Sequence, residues 1–158
     1  MPNVSTLRRD MNSYLLTWNP KYLSEEKFDE YYSRYERGKV IRWSCGNTKK
    51  ISPDDTFYFL KQGKGNTGII GSGVIVTSPY NAAHYDDEKA SKGQTALYVD
   101  VKFKYLAHPN ASIPIQRDEL QSTELRGEIW NTQRSGNSIP SEFEEKLTEL
   151  WLNRVKLK

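Results

Sequence analysis

The sequence predicts an α+β domain built as a small β-barrel of five to six mostly antiparallel strands flanked by helices. Three observations carry that prediction. Thr95–Leu106 (TALYVDVKFKYL) alternates cleanly, with Leu97, Val99, Val101, Phe103 and Tyr105 on one face and Asp100, Lys102 and Lys104 on the other. Two separate segments repeat apolar residues at helical spacing. Glycines at 68, 71 and 73 interrupt a β-branched run, as bulges or sharp barrel bends require.

Taken in order, residues 1–12 read as a leader and 13–158 as one domain. Ser13–Trp18 is short, apolar and β-prone, and Asn19-Pro20 ends it. Ser24–Arg37 reads as a helix: Ser24 can cap it, and Leu23 and Phe28 occupy the positions of a hydrophobic staple. Phe28, Tyr31, Tyr32 and Tyr35 give it one aromatic face, which reads as packing against a sheet, and Gly38 supplies the stop. Val40–Trp43 and Thr56–Leu60 follow as strands, separated by a Ser52-Pro53-Asp54-Asp55 turn. In the second, Phe57 and Phe59 face opposite to Tyr58. A basic, glycine-rich turn over 62–68 leads into a strand over Gly68–Thr77. Ser78–Gln94 is polar and aperiodic, and reads as a long surface loop. After the long strand, Ile113–Ile115 is a short edge piece, and Arg117–Trp130 holds one or two helical turns. Ser141 and Glu144 form the pattern of a capping box, and Phe143, Leu147, Leu150, Trp151 and Val155 carry the final helix.

The totals bound the function. At 158 residues the chain is long enough to bury a core. Twelve per cent aromatic content, with ten Tyr and four Trp, is that of a folded chain. A net charge of +3 implies that any nucleic-acid binding uses a local patch rather than a global field. A single cysteine, Cys45, excludes an intramolecular disulfide and a four-cysteine zinc site. No run reaches the roughly 18 apolar residues of a membrane span, and the polar N-terminus is unlike a secretory signal, so a cytoplasmic protein without a membrane partner is expected.

Catalysis finds little support. His84 and His108 are far apart and share no metal-ligand spacing, so no metal is expected and surface histidines are the simpler reading. Cys45 could be a nucleophile only with a histidine beside it, and a part-buried cysteine is the simpler reading. The loop KQGKGNTG lacks the phosphate-cradle pattern, and no cofactor is expected.

Binding fits better. Trp43-Ser44-Cys45-Gly46 and Trp130-Asn131-Thr132-Gln133-Arg134-Ser135-Gly136 share a design, a tryptophan ahead of a small, polar, glycine-containing turn. Two such turns meeting at one end of a barrel would offer stacking faces and edge-reading donors to an extruded base. Arg42, Lys49, Lys50, Lys61, Lys64 and Arg134 would form a phosphate rim. The competing reading makes Trp43 and Trp130 barrel plugs and the lysines a solvated face.

The pieces YLLTWNP, IRWSCGNTKKISPDDTFYFLKQG, GIIGSGVI and WNTQRSGNSIP resemble the EVE domains, relatives of the YTH and ASCH domains in the PUA-like superfamily. WSCGNTKKI is also similar to the segment with which YTH domains begin their methylated-base pocket. The resemblance spans residues 13–155, and is nearest to the N-terminal specificity module of modification-dependent restriction endonucleases, in which an HNH nuclease domain follows. It implies a PUA-like, EVE-like barrel that flips a modified base of DNA, methylcytosine or hydroxymethylcytosine, into an aromatic pocket. Carried over residue by residue, Trp43 and Ser44 line that pocket with Cys45, Trp18 and Trp130 are further walls, and Gln133, Arg134 and Ser135 meet the base edge or backbone. No HNH constellation follows the last helix, so the resemblance implies a binding module, not an enzyme, with any nuclease domain in a parent chain. An RNA-binding PUA-like or YTH-like reader of modified or single-stranded nucleotides is the alternative, and a small enzyme acting through Cys45 is a third reading.

Overall fold

The computed structural model describes residues 12–108 and 110–155. Of the expected leader only Asn12 falls among them; its N–H donates to Asp55 Oδ1 at 3.2 Å and its carbonyl accepts from Thr56 N at 3.0 Å. The rest of the leader lies outside the described residues.

Eight strands form one curled, mixed sheet: β1 (Ser13–Trp18), β2 (Ile41–Ser44), β3 (Thr56–Lys61), β4 (Gly68–Ile75), β5 (Tyr80–Ala83), β6 (Thr95–Leu106), β7 (Ile115–Gln116) and β8 (Asn137–Ser138). The helices are α1 (Glu25–Glu36), α2 (Asp87–Ser91), α3 (Arg117–Gln121) and α4 (Ser141–Val155), with a 3-10 turn at Glu128–Asn131. The sheet runs β2-β6-β4-β3-β1-β8, with β5 alongside β6 and β7 alongside β4. Only β1 and β3 pair in parallel, with Ser13 opposite Thr56 and Trp18 opposite Lys61.

Alternation on these strands makes two apolar layers. Tyr14, Leu16 and Trp18 of β1, Phe57 and Phe59 of β3, and Val99, Val101 and Phe103 of β6 line the first, which α1 covers with Phe28 and its three tyrosines. Ser24 caps α1 by accepting from Lys27 N at 3.2 Å, worth about 1 kcal/mol. Leu15, Tyr58, Leu60 and Ile69 point to the other face, where α3, the 3-10 turn and α4 cover them with Leu120, Trp130, Leu147 and Trp151. The glycine-interrupted strand behaves as expected, with the β4–β6 register shifting between Ser72 and Gly73.

Three expectations are corrected. The segment 78–94 is not one loop: β5 pairs with β6 and α2 is capped by Asp86, whose Oδ1 accepts from Glu88 N at 2.9 Å. YNAA escapes a pattern search because the backbone ladder, not side-chain burial, holds it in place. Two-residue β8 was likewise invisible inside a turn-like run. Finally, Ser141 is the first residue of α4 rather than its cap, and the Glu144 carboxyl turns to the hydroxyl and backbone of Ser13 instead. Burial pushes that carboxyl up, with the Ser13 hydrogen bonds opposing.

Candidate nucleic-acid interface

A curled sheet has two ends, and here they meet without pairing as strands. One is β2, the other the β1–β8 edge. Along that edge, Leu15 O accepts from Gly136 N at 2.8 Å and Thr17 N donates to Ser135 Oγ at 3.0 Å. The next carbonyl, Thr17 O, accepts the indole N–H of Trp43 at 2.9 Å. That bond carries the seam from β1 across to β2.

The two glycine-containing turns close the same seam, as their shared design suggested. A Cβ on Gly46 would collide with the carbonyl oxygen of Ser135, and one on Gly136 with that of Cys45. Both glycines also hold positive φ, +63° and +96°. The turns converge through their backbones rather than through their tryptophans.

The indole rings behave differently from the expectation. Trp130 is fully buried in the second layer, its N–H bonded to Leu125 O at 2.6 Å and its ring stacked on Phe143. Trp18 is 1% exposed, lies stacked 4.1 Å from Phe28, and donates to Leu23 O at 2.6 Å. Neither ring offers a face to a ligand, because the sheet alternation turns each into a closed layer. Trp43 is half-buried, packed edge-on against Phe59 at 5.0 Å and Tyr31 at 5.3 Å. Cys45 is fully buried beneath the turn, its thiol directed to Thr48 O at 3.7 Å. Burial pushes that thiol up to about 11, which keeps it protonated and makes a poor nucleophile.

Of the expected cations, Lys61 is excluded from a phosphate rim. Only 5% exposed, it pairs with Glu25 at 3.2 Å and donates to Asn66 O at 3.1 Å. Arg42, Lys49, Lys50, Lys64 and Arg134 are exposed, as is Gln133. Arg42 lies 4.4 Å above the ring of Tyr98.

Ser44 and Lys49 line a surface recess of ≈ 430 Å³. Its other walls come from the β5–β6 hairpin and include Asn81, His84 and Tyr85, with Asn47 completing the turn side. The His84 and Tyr85 rings lie 4.3 Å apart, and Tyr85 is 62% exposed. His84 Nδ1 accepts the Asp86 N–H at 3.0 Å, which fixes the ring against the start of α2. Sequence reasoning missed this wall. The adjacent aromatics His84 and Tyr85 in a polar segment were the available signal, and reading 78–94 as one loop hid the hairpin that aims them.

None of the protein-family models and none of the curated proteins compared matches the chain. Solved structures do. A hypothetical protein from Leishmania major aligns over 92% of this chain and 98% of its own, with TM-score 0.64 and 18% identity. Human THYN1, solved in complex with 5-methylcytosine-containing DNA, aligns over 88% of this chain and 97% of its own, with TM-score 0.57 and 16% identity. The DUF55 domain of human thymocyte nuclear protein 1 gives 89% and 99%, with TM-score 0.53 and 16% identity. At such identities the likeness is one of architecture: the chain shares its α+β fold, a curled mixed sheet flanked by helices, with these structures.

Proposed function

We propose that the protein is a noncatalytic nucleic-acid-binding module that holds a modified base of DNA, methylcytosine or hydroxymethylcytosine, flipped out of the duplex. The observation that carries this reading is the recess beside the seam, walled by Ser44, Asn47 and Lys49 on one side and by the His84–Tyr85 pair on the other. The solved human THYN1 complex with 5-methylcytosine-containing DNA supports it by likeness of fold.

The exposed Tyr85 ring stacks on the base, a contact worth about 1–3 kcal/mol that offsets part of a few kcal/mol of unstacking. Ser44, Asn47 and Asn81 supply the donors and acceptors that a base edge needs. Trp43 is a positioning residue: by tying β2 to Thr17 it sets Ser44, one residue on, at the lip of the recess. Ser135 steadies the opposite turn through Thr17 N, and Gln133 and Arg134 extend from it to the sugar-phosphate backbone. Lys49, Lys50 and Lys64 add charge to the rim. Residues 13–158 act as one such module, and cleavage in a modification-dependent endonuclease belongs to a separate HNH domain.

Salt-matched titration of one duplex carrying 5-methylcytosine, 5-hydroxymethylcytosine or cytosine tests the reading. The expected outcome is tighter binding of a modified duplex. Equal affinity for all three overturns it, and preference for a matched RNA competitor transfers the site to RNA.

A further inference from the structure

The second face of the sheet is covered unevenly. Over β1, β3 and β4 it lies under α3, α4 and Trp130. Over β6 and β2 no helix packs on it among the described residues between Ala96 and Lys104. The side chains there follow from alternation: Ser44 and Arg42 on β2, and Ala96, Tyr98, Asp100 and Lys102 on β6, with the exposed Lys104 at the register shift that follows. Ser44 and Ala96 are also walls of the recess. The recess is therefore one end of this strip.

The charges along the strip are not random decoration. Its one acid, Asp100, accepts from the Tyr80 hydroxyl and lies opposite Arg42 in the register, so the strip carries three cations against one carboxylate. Arg42, opposite Asp100 in the β2–β6 register, is held flat above Tyr98 at 4.4 Å, which sets its position while leaving it exposed. Lys102 and Lys104 are both exposed, and neither pairs with a carboxylate among the described residues. Positions two apart on a strand are separated by about 6.7 Å, so the line from Ala96 to Lys102 runs for ~20 Å. Lys104 follows at the register shift of β6, so the cations form a row that starts beside the recess and bends at the bulge.

We propose that the outer side of β6 and β2 is a backbone-binding track, on which the exposed Arg42, Lys102 and Lys104 neutralise phosphates of the polynucleotide whose base enters the recess. This deepens the modified-base reading and rests on it for the identity of the ligand, while the track itself reads charge and not sequence. The phosphate rim and the track share Arg42 on β2; the track adds two lysines of the longest strand.

The test is the salt dependence of binding for the double variant Lys102→Gln/Lys104→Gln, beside Lys27→Gln on α1 as a control. Removing two phosphate contacts lowers the slope of log K against log[salt] by about 2, weakens modified and unmodified duplexes by the same factor, and leaves their ratio unchanged. The control keeps the parent slope. Melting temperatures identical to the parent establish that all variants fold, as expected for exposed side chains. An unchanged slope in the double variant overturns the track, as does failure of the parent to bind any duplex at low salt. If the parent binds modified and unmodified duplexes equally while the double variant loses slope, the track stands and the base reading falls.

Discussion

Trp43 and Trp130 each precede a small polar turn ending at a glycine that the fold cannot replace, yet one is a plug and the other a latch. Trp130 lies in a 3-10 turn between α3 and α4, so helices close over it and its N–H is spent on a neighbouring carbonyl, Leu125 O. Trp43 lies on β2, the terminal strand of the sheet, whose outer edge pairs with no further strand among the described residues. Its N–H is spent on Thr17 O, across the gap in the barrel. Identical local sequence design thus yields a structural or a site-forming ring according to whether the element beneath is interior or terminal. The surrounding topology decides, not the motif.

The sharpest way to break this comparison is to truncate both rings. Trp130→Ala should lower stability by about 3–5 kcal/mol in urea denaturation, since it empties a closed layer and orphans Leu125 O. Trp43→Ala should cost about 2 kcal/mol, because that ring is only partly buried whereas Trp130 is sealed in a layer. Equal losses would mean that the two positions are equivalent after all.

Cys45, beneath the Trp43 turn, gives the next effect. Its thiol rises from 9.0 to about 11 on folding, so the folded chain holds the proton more tightly than the unfolded one. The resulting stability, on the order of 2–3 kcal/mol, is complete below pH 9 and lost as pH climbs to 11. Alkaline denaturation curves of the parent should steepen from pH 9, and those of Cys45→Ser should steepen less and later, where the buried tyrosines, also pushed up by burial, begin to ionise. Thiol labelling of the native protein at neutral pH should be slow; rapid labelling would show that the turn does not seal the site floor.

Tyr85→Ala separates binding from folding. It should leave melting unchanged while costing about 1–3 kcal/mol in affinity for a modified duplex. An affinity equal to the parent's would remove the hairpin wall from the site. The smallest effect belongs to Ser135→Ala, which leaves Thr17 N without its partner and should cost roughly 1 kcal/mol. A loss of zero would show that the seam is held by the glycine contacts alone.

Much of the architecture was legible in the chain. Strands β1 and β6 lie where alternation put them, and the aromatic stripe of α1 packs on the sheet as its spacing required. What periodicity could not give were elements held by backbone pairing alone, β5 and β8, or the parallel register of β1 with β3. The site was half legible. The pairing of the two glycine turns followed from their likeness, and Ser44 and Lys49 do line a recess. Trp18, Trp130 and Cys45 were misplaced because sequence gives a residue's type but not which side of a sheet is roofed. Lys61 was misplaced because its partner Glu25 sits on a helix 36 residues earlier. Its burial follows from β3 lying in the middle of the sheet rather than at a rim.

A curled sheet whose ends are fastened by one indole N–H and two glycine contacts has a weak line running lengthwise, unlike a barrel stitched by a full ladder. The least costly fluctuation of the domain is therefore a parting of its edges at Thr17, Trp43 and Gly136. Amide protons of Thr17 and Gly136 should exchange with solvent faster than those of β3 and β4, which lie two strands inside. Any molecule gripping both turns at once would slow that exchange selectively, so occupancy could be read from deuterium uptake before the ligand itself is identified.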